Sequence, residues 1–488
     1  MPASRPKKKF QRYDPDQILL VAPNMHEWLP QNHLCYFVSD TVDGLDLSLF
    51  YARYDEPRGS PPYDPRMMVK IIVFAYCLGV TSSRQIFQAL LENVAFRVLA
   101  AGSRPDHRTI CRFRADPAVA LQGLFLQVLD LCQRANMVPA KAVALDGTKV
   151  KANASIAKNR TKEQLEAELR DRVKQVFAEA ERKDKEEDEL YGEENDGFSL
   201  PAHLGDRKAR KEFIREGLRQ LKEEEEKRKA EEEKKLAERQ EKEKEEAAKG
   251  KEVRGRKPVQ KEAKPSRRNT TDPDSRTMKT QNGYVQGLNV QIATDCSSQV
   301  IVACDVVQDG NDKHQLARML ALVRENLGRP PEKLLADAGY FSTKEVDGVV
   351  GTELFVATKS RKKAGMEEFL PIIELGGRPT TKQAMELLLG TNEGRATYSL
   401  RGQTVEPVNG QLKDRGGMRE FKLRGLEGTK LEASLTCLGH NIKKLYRWSK
   451  TINSNRNSGK IYTGHGTMTS MISSGTGRSG HPTGIASG

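Results

Sequence analysis

No two of the seven cysteines are spaced C-x-x-C, and most of them sit inside apolar runs. That argues against a zinc site or a disulfide framework and for small buried thiols. An odd cysteine count in a long chain suits a reducing compartment. Long hydrophobic runs are missing as well. The longest, Ile71 to Val80, is too short to span a bilayer. The N-terminal MPASRPKKKFQRYD has no apolar segment, so a signal peptide is not expected there. A cytoplasmic protein with no membrane partner is expected.

What is present is charge. Of 488 residues, 30% are charged and 37% hydrophobic, with a formal net charge of +14. Mean hydropathy is −0.65, polar enough that part of the chain is expected outside a packed core. The length allows two to four domains. The basic balance favours a polyanionic partner, most simply nucleic acid.

The charge is unevenly spread. Residues 1–15 are basic and read as flexible. Residues 156–275 are low in aromatics and centre on KEEEEKRKAEEEKKLAERQEKEKEE. Glu and Lys at i,i+4 support a solvated helix, but apolar residues are too sparse for a coiled-coil seam. This segment reads as an insertion, helical in part and disordered in part. Its VRGRKPVQ (253–260) weakly resembles an AT-hook, with Arg256 as the minor-groove residue. Residues 450–488 are rich in Ser, Gly and Thr and read as a disordered tail.

Residues 16–136 read as an all-helical domain. Pro65 is a good first helical residue, and Met67, Met68, Ile71, Ile72, Ala75 and Tyr76 follow at helical spacing up to Gly79. Ser82 and Gln85 predict a capping box, Asp106 a further cap, and Asp116–Pro117 the start of a fourth helix. With the arginine-rich DHRTICRFR, this is either a helix-turn-helix-like DNA-binding unit or a plain bundle with a basic face.

From 140 onward the order predicted is a strand with Asp146, the insertion, a hairpin (YVQGLNVQIATD and QVIVACDVVQD), and a helix over 313–327. Then come a strand with Asp337, a short helix, a strand, an irregular stretch over 361–396, and a helical region with Glu406. Pro407 suggests that this helix begins near Glu406. A terminal helix is expected over 427–449. Residues 140–155 and 276–449 thus predict an α/β core with a ribonuclease-H-like strand order, antiparallel first and parallel later.

Asp146 and Asp337 both interrupt apolar strands, where an unpartnered carboxylate is costly. Asp295, Asp305, Asp309 and Asp312 sit at turns or strand ends and read as structural. Asp146, Asp337 and Glu406 form a candidate metal-binding and catalytic trio. Two Mg²⁺ (or Mn²⁺) ions on such carboxylates activate an attacking oxygen and stabilise a leaving one in phosphodiester chemistry. Tyr398, Arg401 and Lys413, with Arg415 and Arg419 in the basic run KDRGGMREFKLRG, are candidates for DNA contact.

The spacing Tyr398, Arg401, Glu406, Lys413 resembles the Y-R-E-K signature of bacterial insertion-sequence DDE transposases. Four residues separate Arg401 from Glu406, where that signature has three. VEPVNGQLKDRGGMREFKLRGLEG with CLGHNIKKL resembles the C-terminal catalytic block of the insertion-sequence "eleven-eighty-two" group. YDPRMMVKIIVFAYCLGVTSSRQI resembles the N-terminal helical domain of such transposases, and ALDGTKVKANAS and ADAGYFS resemble their two aspartate blocks. The resemblance implies a nucleoid-associated enzyme that binds the terminal repeats of its element and target DNA as a homo-oligomer. Such an enzyme nicks the ends and transfers the 3′-OH. A DNA-binding relic without catalysis and a nuclease without strand transfer remain open alternatives.

Overall fold

The run AVALDGTKVK forms β1 (Ala142–Lys151), with Val143, Ala144 and Leu145 consecutively buried. Burial at successive positions means that both faces of the strand are covered, as for a central strand. The computed structural model describes residues 24, 27–52, 62–115, 118–161, 163–164, single positions between 219 and 233, 267–280, 283–358 and 379–457. The basic N-terminal segment, the AT-hook-like segment, Asp116–Pro117 and nearly all of the charged run lie outside the described residues.

The chain divides into two compact units, one of residues 1–75, 82–117 and 446–488, the other of residues 76–81 and 118–445. In the described residues of the first, all regular structure is helical: α1 (Leu34–Asp43), α2 (Ser48–Tyr51), most of α3 (Pro65–Cys77), α4 (Ser83–Glu92), α5 (Val94–Leu99) and α6 (His107–Ala115). Aromatic rings fill its core, with Phe74 edge-on to Phe96 at 5.0 Å and Phe50 stacked on Phe113 at 5.9 Å. Pro65 opens α3 as expected. The capping box at Ser82 does not form, because the Ser82 side chain makes no capping hydrogen bond. Asp106 does cap α6, accepting the Thr109 N–H at 2.7 Å.

The second unit contains α7 (Ala118–Arg134), which the sequence had grouped with the helical domain. Its Gln133 Nε2 donates to the Leu327 carbonyl at 3.5 Å, at the end of α8 (Leu316–Leu327), so it meets that helix. The remaining strands are β2 (Asn159–Thr161), β3 (Arg267–Asn269), β4 (Arg276–Thr280), β5 (Gly283–Asp295), β6 (Ile301–Val307), β7 (Lys333–Ala336) and β8 (Glu353–Val356). β5 pairs antiparallel with β1 along one edge and with β4 and β6 along the other. β1, β7 and β8 are successive parallel neighbours. The result is a mixed α/β unit with the order β6-β5-β1-β7-β8 through its centre.

The charged insertion is gripped at both ends. β2 and β3 pair antiparallel, and Asn159 Nδ2 donates to Gln286 Oε1 on β5 at 2.9 Å. The described strands therefore reach Thr161 on one side and begin again at Arg267 on the other, inside the 156–275 bounds expected for the insertion.

The helices that follow are α9 (Thr343–Asp347), α10 (Thr381–Gly390), α11 (Asn392–Asp414) and α12 (Leu426–Asn457). The stretch expected to be irregular is helical from Thr381, where Thr380 and Gln383 form a capping box. α12 continues seven residues past Lys450, into the segment read as a disordered tail. Its Asn441 donates to the Ile301 carbonyl at 2.8 Å and accepts the Ile301 N–H at 2.9 Å, satisfying backbone groups of β6.

Pro407 lies inside α11 and does not start it. The ring leaves the Gln403 carbonyl without its helical donor. Gln299 Nε2, from the β5–β6 turn, donates to that carbonyl at 3.3 Å. That turn is held in place by His440, which hydrogen-bonds the Gln299 carbonyl at 2.8 Å, and by Lys444 on Gln299 Oε1 at 2.7 Å. Among the described residues, no single helix is long and apolar enough to cross a membrane.

Candidate active site

Strand register brings the two aspartates together. In the parallel β1–β7 ladder, Ala144 lies opposite Leu335. Two residues further along each chain stand Asp146 and Asp337, at the C-terminal side of neighbouring parallel strands, where α/β sheets commonly bind ligands. α11 crosses beside them. Its Val405 packs on Ala144, Leu335 and Phe355. One turn before Val405, Arg401 Nη2 donates to Asp146 Oδ1 at 3.0 Å and lies 3.7 Å from Asp337 Oδ2. One turn after it, Asn409 Nδ2 donates to Asp146 Oδ2 at 2.6 Å.

Burial pushes the Asp146 carboxyl up to about 6, with Asp337 and Asp312 adding to the rise and Arg401 opposing it. Asp312, read from sequence as structural, is part of this cluster. Its Oδ1 accepts from Asn289 Nδ2 at 2.8 Å and Gln291 Nε2 at 2.6 Å, and Tyr340 Oη donates to Gln291 Oε1. Burial, then Asp312, Asp146 and Asp337, hold the Tyr340 hydroxyl well above the ordinary phenol range. The sequence did carry a signal for this network. Asn289 and Gln291 are polar residues at alternate positions of the otherwise apolar stretch 288–293 of β5.

Two glycines keep the space between these groups open. A Cβ on Gly147 would collide with Asp312 Oδ1 and approach Gln291 Nε2 to 2.7 Å. A Cβ on Gly339 would lie 3.0 Å from Asp337 Oδ1 and 3.4 Å from Asp312 Oδ2.

The other sequence-derived candidates are placed as follows. Glu406 is exposed on α11, its Oε1 3.5 Å from the position of a Cβ on Gly402, and it forms no hydrogen bond or ion pair with a described residue. Tyr398 packs against the cluster around Ala144 and Phe355. Lys413 is half-buried within the field of Asp146, and burial lowers its ammonium pKa. Arg415 ends α11. Arg419 is exposed and paired with Asp414. Asn409, not among the sequence-derived site candidates, contacts Asp146 directly.

The donor chemistry of Asp146 and Asp337 suits a hard cation such as Mg²⁺, and the Arg401 guanidinium already places positive charge between them. Among the described residues no group of three or more His, Cys, Asp and Glu side chains is drawn together closely enough to hold a metal ion.

Residues 376–446, which include Arg401, Glu406 and Asn409, match the family model described as Transposase DDE domain. Matches of this kind support an insertion-sequence DDE transposase. Residues 23–116 match a second model, Transposase domain (DUF772). The two matches cover about a third of the chain, one on the helical segment and one on α11, α12 and their approach. No curated protein and no solved structure matches the chain.

Proposed function

We propose that the chain binds the ends of its own element, nicks them and transfers the resulting 3′-OH to target DNA. The single observation that carries this reading is the convergence of Asp146 and Asp337 on Arg401, a residue inside the matched DDE segment. The strand order β6-β5-β1-β7-β8, antiparallel then parallel, supports a ribonuclease-H-like core.

Asp146 and Asp337 would hold two Mg²⁺ or Mn²⁺ ions, with Glu406 as the further ligand from α11. Bound there, the metals supply activation of the attacking oxygen and charge stabilisation of the leaving oxygen. Arg401 holds the two carboxylates in register and offers a guanidinium suited to a phosphate. Lys413 adds positive charge on the same helix, and Tyr398 orients α11 through its packing. The basic run after α11 provides further phosphate contacts. Work on paired element ends favours a homo-oligomer acting on DNA in the cytoplasm.

A strand-transfer assay tests this. The full chain, Mg²⁺ and duplex DNA from the flanks of its own gene are incubated with a supercoiled target plasmid. Covalent joining of the flank's 3′ end to the plasmid is expected. Cutting without joining would leave a nuclease and overturn the transfer step.

A further inference from the structure

α6 has two opposed faces. Ile110, Phe113 and Arg114 are buried, while Arg108, Cys111, Arg112 and Ala115 are exposed. The exposed four are spaced by three and four residues and so share one stripe. The buried face is anchored from several sides. Phe113 stacks on Phe50, and Arg114 Nη2 donates to Ser83 Oγ of α4 at 2.6 Å. With Asp106 capping its N-terminus, α6 is a fixed support for the two outward arginines. Neither Arg108 nor Arg112 forms an ion pair with a described residue. Between Ser82 and Ala115 the chain carries six arginines against two acidic residues.

We propose that this outer stripe of α6 is the surface that meets duplex DNA, with Arg108 and Arg112 contacting phosphates on either side of Cys111. An α-helix is about 10–12 Å across with its side chains, and the major groove is about 12 Å wide. Arginines one turn apart on an anchored helix complement a polyanion in charge and spacing. That the DNA is an element end rests on the transposase reading; the contact surface does not.

Cys111 is a built-in probe, the one exposed thiol of the seven. The full wild-type chain is treated with a maleimide, with and without saturating duplex from the flanks of its gene. DNA is expected to protect Cys111 strongly. In parallel, Arg108→Gln/Arg112→Gln is expected to keep its thermal midpoint and lose about two units of the log K against log salt slope. Binding by wild type with Cys111 labelled at its free rate and the slope unchanged in the variant would overturn the proposal and leave the transposase reading intact. Failure of wild type to bind any duplex at low salt would overturn both.

Discussion

Arg401 Nη2 sits 3.0 Å from Asp146 Oδ1 and 3.7 Å from Asp337 Oδ2, so one side chain of α11 neutralises both aspartates that the strand register brings together. An arginine in that position competes with a cation for the same oxygens. A DNA phosphate that draws Arg401 away would free them. Binding of metal and DNA are then coupled, and the coupling is reciprocal. Arg401→Gln is expected to bind Mn²⁺ several-fold more tightly than wild type without DNA, and duplex DNA is expected to raise metal affinity in wild type only. Titration calorimetry with Mn²⁺ reads both. Equal affinities with and without Arg401 would remove the competition.

The raised Asp146 carboxyl carries a pH signature. Its ordinary value is 3.8 and its value in the fold is about 6, so protonation favours the fold. Below pH 3.8 the group is neutral in both states and costs nothing. As pH rises through 6 the buried charge must be carried, and that stability is lost. Metal-free Asp146→Asn is therefore expected to match wild type near pH 4 and to exceed it by about 2 kcal/mol above pH 7, allowing for the partial exposure of the group. Urea unfolding in chelator across that range checks this. A difference independent of pH would show that the charge is not what is being relieved.

Gly147→Ala tests the packing between β1 and Asp312. The new methyl meets Asp312 Oδ1 and Gln291 Nε2. Overpacking of this kind costs about 1–3 kcal/mol. A denaturant midpoint equal to that of wild type would mean that the network has room to shift.

Much of this arrangement was legible in the sequence, for reasons of local chemistry. Asp146 stands out because a carboxylate inside an apolar strand demands a partner, whereas Asp337, expected inside a strand, follows the end of β7 at Ala336. The hairpin of β5 and β6 follows from two β-branched runs around CSSQ. Asp312 was hidden because a carboxylate beside a Gly-Asn turn looks solvated, and only the fold closes Asn289, Gln291 and Gly147 around it. The continuation of α11 through Pro407 was hidden for a similar reason. The donor that satisfies the Gln403 carbonyl is Gln299, more than a hundred residues earlier in the chain.

Asn441 offers a stability test far from the aspartates. Its side chain satisfies both the N–H and the carbonyl of Ile301 and is fully buried. Asn441→Ala leaves both groups without partners, at about 1–3 kcal/mol for each orphaned group. Loss of less than 1 kcal/mol in chemical unfolding would mean that water replaces the amide.

The central claim is that Asp146 and Asp337, with Glu406, form the reaction centre. The most direct measurement is Mg²⁺-dependent cleavage of duplex DNA carrying the element's own ends, comparing wild type with Asp146→Ala, Asp337→Ala and Glu406→Ala, with DNA binding measured alongside. The account predicts that wild type cuts and that all three variants bind DNA but do not cut. Cutting at wild-type rate by the aspartate variants, or a wild type that binds the ends and never cuts them, would contradict it.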